Sequence, residues 1–97
     1  MALKRFREIQ LRTLWVLRPS DGGVSPWHSN RTVAGVLGRS EGAIRHRLMR
    51  YARKGWLLRQ RGPDGWRYRL LPRGQARLTW LQEQAARSES FFKPLID

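Results

Sequence analysis

Arginine is the residue of this chain best equipped for chemistry, and its spacing is uneven. Seventeen of the 20 Lys+Arg are arginine, against 7 Asp+Glu, for a formal net charge of +13. Twelve of these cations fall within residues 39–78, a stretch whose acids are Glu41 and Asp64, so +10 of the +13 sits in forty residues. A planar guanidinium donates in a fork that matches phosphate oxygens and guanine edges better than an ammonium does. A merely solubilising surface mixes signs and uses Lys freely. This one does neither. The expected partner is a polyanion, nucleic acid foremost, ahead of an anionic membrane or an acidic protein.

Other chemistries lack their residues. The chain has no Cys, which removes disulfides, thiolate zinc sites, iron–sulfur clusters and thiol nucleophiles together. His28 and His46 stand in different elements without paired carboxylates nearby, so neither a metal site nor an acid–base pair is expected. No phosphate-loop glycine pattern, serine elbow or carboxylate dyad occurs. Neither an enzyme nor a cofactor is expected. There is no apolar run of about 18 residues and no charged–apolar–small leader pattern, so the expectation is a cytoplasmic chain that does not span a membrane.

The cations need a scaffold, and the chain can build one. It is 40% apolar and contains five Trp, side chains that call for burial, so it should fold as a single domain with one core. Residues 3–18 carry Leu3, Phe6, Leu14 and Leu17 on one helical stripe, with Leu11 and Trp15 on a second strip, until Pro19 and Ser20-Asp21-Gly22-Gly23 stop the helix. In the connection that follows, Val24 or Trp27-His28 is a candidate for a very short strand. Ser29 or Asn30 caps a short helix that carries Val33, Ala34 and Leu37 inward and ends at Gly38.

Ser40 caps a longer helix over residues 40–54, with Ile44, Leu48 and Tyr51 inside and Gly55 at its end. Its outer face reads Gly42, His46, Met49, Arg50 and Arg53, flanked by Arg45 and Arg47. The period then changes to two. Trp56 to Arg61 leads to the turn Gly62-Pro63-Asp64-Gly65, and the returning strand sets Trp66, Tyr68 and Leu70 on one face and Arg67 and Arg69 on the other. That alternation favours core packing of Trp66 and Tyr68 over the stacking of unpaired bases, which lowers RNA as the ligand. Pro72-Arg73-Gly74 breaks the strand before a last helix over residues 75–87 with Leu78, Leu81 and Ala85. The fold class is mainly α with a small β-hairpin (α+β). The domain is expected to occupy residues 1–87, with 88–97 as a short tail.

The stretch Val33-Ala34-Gly35-Val36-Leu37-Gly38-Arg39-Ser40-Glu41-Gly42-Ala43-Ile44-Arg45-His46-Arg47-Leu48 resembles a helix-turn-helix core, with a small residue, Ala34, where the two helices touch. Lys54-Gly55-Trp56-Leu57 resembles the exit from its second helix, and Tyr68-Arg69-Leu70-Leu71-Pro72-Arg73-Gly74 resembles the end of a wing. Over residues 29–82 the order is similar to the winged helix-turn-helix of MarR-, PadR- and Lrp-like bacterial transcriptional regulators. Arg39 stands at a turn position that is more often apolar in this superfamily.

The resemblance implies a three-helix core plus wing (57–71) and C-terminal helix, bound to double-stranded DNA. Gly42, Ala43, Arg45, His46 and Met49 are then the candidates for base contacts in the major groove. Arg39, Ser40, Arg47, Arg50, Arg53, Lys54, Arg59, Arg61, Arg67 and Arg69 are the candidates for phosphate contacts. Such regulators commonly dimerise through terminal helices, for which Leu11, Trp15, Trp80, Phe91 and Phe92 are the spare apolar residues; Trp15 and Trp80 could equally pack on each other. The expected function is a sequence-specific regulator, most simply a repressor. Alternatives are a DNA-binding component of a replication, recombination or mobile-element complex, with the tail at Phe91 and Phe92 docked on a protein partner, or a basic RNA-binding protein.

Overall fold

The computed structural model describes residues 5–19, 23–63 and 65–90, with the side chains of 5, 6 and 88–90 excepted. The chain runs α1 (Arg5–Val16), β1 (His28–Ser29), α2 (Asn30–Leu37), α3 (Glu41–Arg53), β2 (Leu57–Gly62), β3 (Gly65–Leu70) and α4 (Pro72–Ser90). The strands form an antiparallel sheet in the order β1-β3-β2. The expected hairpin has therefore gained a third strand, and of the two candidate segments it is the one at His28 that pairs, with His28 opposite Tyr68.

Local signals set the two central helices. The Ser29 side chain accepts from the Thr32 amide and the Ser40 side chain from the Ala43 amide, each satisfying a donor left open at a helix start. Gly38 closes α2 with φ 64°, a left-handed conformation that glycine adopts without steric cost, and its amide reaches back to Ala34 and Gly35. The turn that joins α2 to α3 is thus three residues long, Gly38-Arg39-Ser40.

One core holds the elements together. Leu14 and Leu17 of α1, Val33 and Ala34 of α2, Ile44, Leu48 and Tyr51 of α3, Leu57, Tyr68 and Leu70 of the sheet, and Leu78 and Leu81 of α4 are all buried. Each large side chain among them contributes about 1.5–3 kcal/mol by leaving water. Leu3 of the expected α1 stripe lies outside the described residues, as does the side chain of Phe6.

The last helix begins at Pro72, three residues earlier than the composition of 72–74 suggests. Proline is tolerated in a first helical turn, where its missing N–H has no partner to lose. Gly74 completes the explanation, because a Cβ there would overlap the Trp56 carbonyl, the same carbonyl that accepts from the Leu71 amide at 2.9 Å. A second long-range tie is Ser25, whose buried hydroxyl donates to the Leu17 carbonyl at 2.5 Å and accepts from the Leu70 amide at 3.0 Å. It joins the end of α1 to the end of β3. No helix among the described residues is long and apolar enough to cross a membrane.

Candidate nucleic-acid interface

Helix α3 turns Ile44, Leu48 and Tyr51 into the core and most of its basic side chains outward. Ala43, Arg45, His46, Arg50 and Arg53 are exposed, as are Arg39 and Ser40 before the helix and Lys54 after it, while Gly42 and Met49 are half-buried. A Cβ at Gly42 would meet nothing within 4 Å, so packing does not require glycine there. What the glycine provides is a low profile on the outer face.

Arg47 behaves differently from its neighbours. It is half-buried, and its Nη1 donates to the Thr13 hydroxyl of α1 at 3.1 Å, while Thr13 itself donates to the Ile9 carbonyl. Burial holds the Arg47 guanidinium below its ordinary pKa, and the charges of Arg39 and Arg50 push the same way against the opposing influence of Tyr51. This cation braces α3 on α1.

The hairpin register divides the four arginines of the wing region. Leu57, Arg59 and Arg61 lie opposite Leu70, Tyr68 and Trp66, and cross-strand partners share a face. The Arg59 guanidinium lies 3.7 Å from the Trp66 ring centroid and Arg61 5.9 Å from it. Trp66 in turn lines a cleft of ≈ 690 Å³ with Glu41 and Arg45 of α3, Ser29, and Asn30 and Arg31 of α2. Arg67 and Arg69 are on the reverse face. Both guanidinium groups sit 4.7 Å from the Trp27 ring centroid, and Arg67 also donates to Gln60 at 2.8 Å. Tyr68 is fully buried, so it belongs to the core.

Arg31 is a member of the cleft that the sequence reading missed. A cation in the first turn of a helix opposes the helix dipole and receives no help from an acid there, and that unfavourable placement was the available signal. Among the described residues no ion pair involves an arginine of α3 or of the hairpin; the pair of Glu8 with Arg12 at 3.7 Å is on exposed side chains of α1.

No protein-family model matches the sequence, and no curated protein matches it either. Solved structures do. MarR, the multiple antibiotic resistance repressor, superposes with a TM-score of 0.70 at 22% identity, over 90% of this chain and 63% of that one. The PcaV transcriptional regulator from Streptomyces coelicolor, solved with its natural ligand, gives 0.68 at 26% identity, over 89% and 60%. A MarR family protein from Bacillus stearothermophilus gives 0.65 at 18%, over 93% and 59%. The fold is the MarR-type winged helix. The chain spans about three fifths of the length of these regulators.

In that fold α3 is the second helix of the helix-turn-helix and β2–β3 the wing. Of the apolar residues expected at a dimer contact, the described ones divide between two places. Leu11 and Trp15, the latter 44% exposed, line a groove between α1 and α4 with Gln82, Ala85 and Ala86. Trp80 is outside that groove, half-buried between Arg7 and Arg77, and Arg18 covers Trp15, so each indole is stacked with arginine. Phe91 and Phe92 lie outside the described residues.

Proposed function

We propose that this chain is a sequence-specific double-stranded DNA-binding protein that regulates transcription, most simply as a repressor. The observation that carries the reading is the row of exposed cations along the outer face of α3, continued by Arg59 and Arg61 on the wing face that borders the same cleft, with no carboxylate partner among the described residues. The likeness to solved proteins named as a repressor and a transcriptional regulator supports the same reading and supports a role without catalysis.

In this reading Gly42 and Ala43 let the recognition helix approach base edges, and Arg45, His46 and Met49 meet them in the major groove. Arg39, Arg50, Arg53 and Lys54 bind the phosphates that flank the groove, joined by Ser40 at the positive end of α3 and by Arg31, Arg59 and Arg61 around the cleft. Two copies meeting through Leu11 and Trp15 would set half-sites about 34 Å apart along the duplex; light scattering of the purified chain measures whether they do.

The decisive experiment is selection of bound duplexes from a random pool at physiological salt, followed by affinity against salt concentration. A recurrent motif, with affinity falling about three to five decades between 50 and 200 mM salt, is the expected result for six to ten phosphate contacts. A pool without a motif directs attention to a complex-bound architectural role, and preference for structured RNA over duplex removes the reading.

A further inference from the structure

The reverse face of the wing carries charge that the interface just described does not use. We propose that Arg67 and Arg69, set on Trp27, bind the backbone of a second DNA segment, so that one molecule bridges two duplexes. This rests on the reading of the chain as a duplex-binding protein and extends it to a second surface.

The argument begins with register. Arg67 is opposite Gln60 and Arg69 opposite Leu58, so both point to the side of the ribbon away from Arg59, Arg61 and the cleft bordered by α3. Both guanidinium groups lie 4.7 Å from the centroid of one indole, which sets two like charges on a single ring. Stacking on an aromatic ring contributes about 0.5–1 kcal/mol per cation at an exposed site, and repulsion between the two like charges works against it. No carboxylate among the described residues neutralises the pair, so an external anion is what would complete the cluster.

The chemistry of the face selects phosphate over a stacked base. Trp27 is half-buried and its ring is already occupied by guanidinium groups, so what faces solvent is a set of N–H donors suited to phosphate oxygens. Geometry selects a second segment over the far wall of the same minor groove. The minor groove is about 6 Å wide, and β1 pairs with β3 at His28–Tyr68 and Ser29–Arg67, which makes the sheet three strands broad where Trp27 stands. A sheet with neighbouring strands about 4.8 Å apart is too broad there to enter that groove. The platform is at the root of the wing, on the face turned away from the cleft beside α3.

The test immobilises one duplex on beads, saturates it with the full chain and adds a second, labelled duplex; one-duplex affinity is measured separately by anisotropy. The wild-type chain is expected to retain the labelled duplex. Arg67→Gln with Arg69→Gln is expected to lower retention about tenfold, to change one-duplex affinity by less than about threefold, and to reduce the salt slope of retention by about two. Arg67→Lys with Arg69→Lys keeps the charge and is expected to restore most of the retention, which separates loss of charge from loss of fold. The proposal is overturned if the wild-type chain binds one duplex and retains no second. It is equally overturned if the glutamine variant retains as much as wild type, which would assign bridging to pairing of protein copies, or if single strands are retained in preference to duplex. Absence of binding to even one duplex removes the functional reading itself.

Discussion

Arg47 Nη1 donates to Thr13 Oγ1 at 3.1 Å, joining α3 to α1 across 34 residues of chain. Thr13 is fully buried and Arg47 half-buried, so the bond is protected from competing water. Thr13→Val keeps the shape but leaves a guanidinium donor without its acceptor, and is expected to cost about 1–3 kcal/mol in urea unfolding. Arg47→Met is expected to cost less, because the remaining hydroxyl still donates to the Ile9 carbonyl. The salt slope of DNA binding should be the same in Arg47→Met as in wild type; a fall of about 0.9 would return Arg47 to the phosphate contacts.

What could be read in the sequence was whatever is decided locally. Ser40 three residues before Ala43, Gly38 and Gly55 at helix ends, and the apolar spacing of Ile44, Leu48 and Tyr51 each act within a turn or two, and each appears in the fold as expected. The faces of β3 were legible because Trp66, Tyr68 and Leu70 alternate cleanly with arginine. Those of β2 were not, since Leu57 and Leu58 are adjacent and both apolar, so only the pairing of Leu57 with Leu70 decides that Arg59 and Arg61 share the core side. The same limit hid Arg47 on Thr13 and Ser25 between Leu17 and Leu70, contacts made between residues far apart in sequence.

Gly74→Ala is expected to destabilise the fold by about 3 kcal/mol, since the new methyl would meet the Trp56 carbonyl, which is backbone, as well as Leu70 Cδ1. Gly35→Ala is the matching control. Its Cβ would meet nothing within 4 Å inside α2, and the change should raise stability by about 0.5–1 kcal/mol through helix propensity. Thermal unfolding of the two variants, run together, measures both signs.

Alkaline pH should weaken the fold through Tyr51. Burial pushes its hydroxyl up to about 12, against the pull of Arg47, Arg50 and Arg77. In the unfolded chain a tyrosine ionises near 10, so between about pH 10 and 12 the unfolded state holds fewer protons and unfolding gains on folding. The stabilisation is complete below pH 10 and falls by about 1.4 kcal/mol per unit above it. Urea midpoints across that window should decline, and Tyr51→Phe should flatten the decline. Burial shifts Tyr68 upward too, so some slope will persist in the variant.

Gly42→Ala should separate stability from binding. Its Cβ enters open space on a helix, so the fold should gain about 0.5–1 kcal/mol. If the outer face of α3 lies against base edges, the added methyl holds the backbone away from them, and affinity for the selected duplex should drop even as the melting temperature rises. Parallel gains in both would show that residue 42 does not approach DNA.

Arg45 and Arg53 are both exposed cations of α3, one in its N-terminal half and one at its last residue, and the winged-helix reading assigns them different work. The N-terminal half of a recognition helix meets base edges, so Arg45→Ala should relax preference at one or two base pairs, by about 1–3 kcal/mol at the affected position. Arg53→Ala should weaken every duplex alike and lower the salt slope by about one, because a phosphate contact is blind to sequence. Repeating the duplex selection with each variant compares the two directly. Matching losses across all sequences would mean that Arg45, too, holds only backbone, and that base recognition must then come from His46 and Met49.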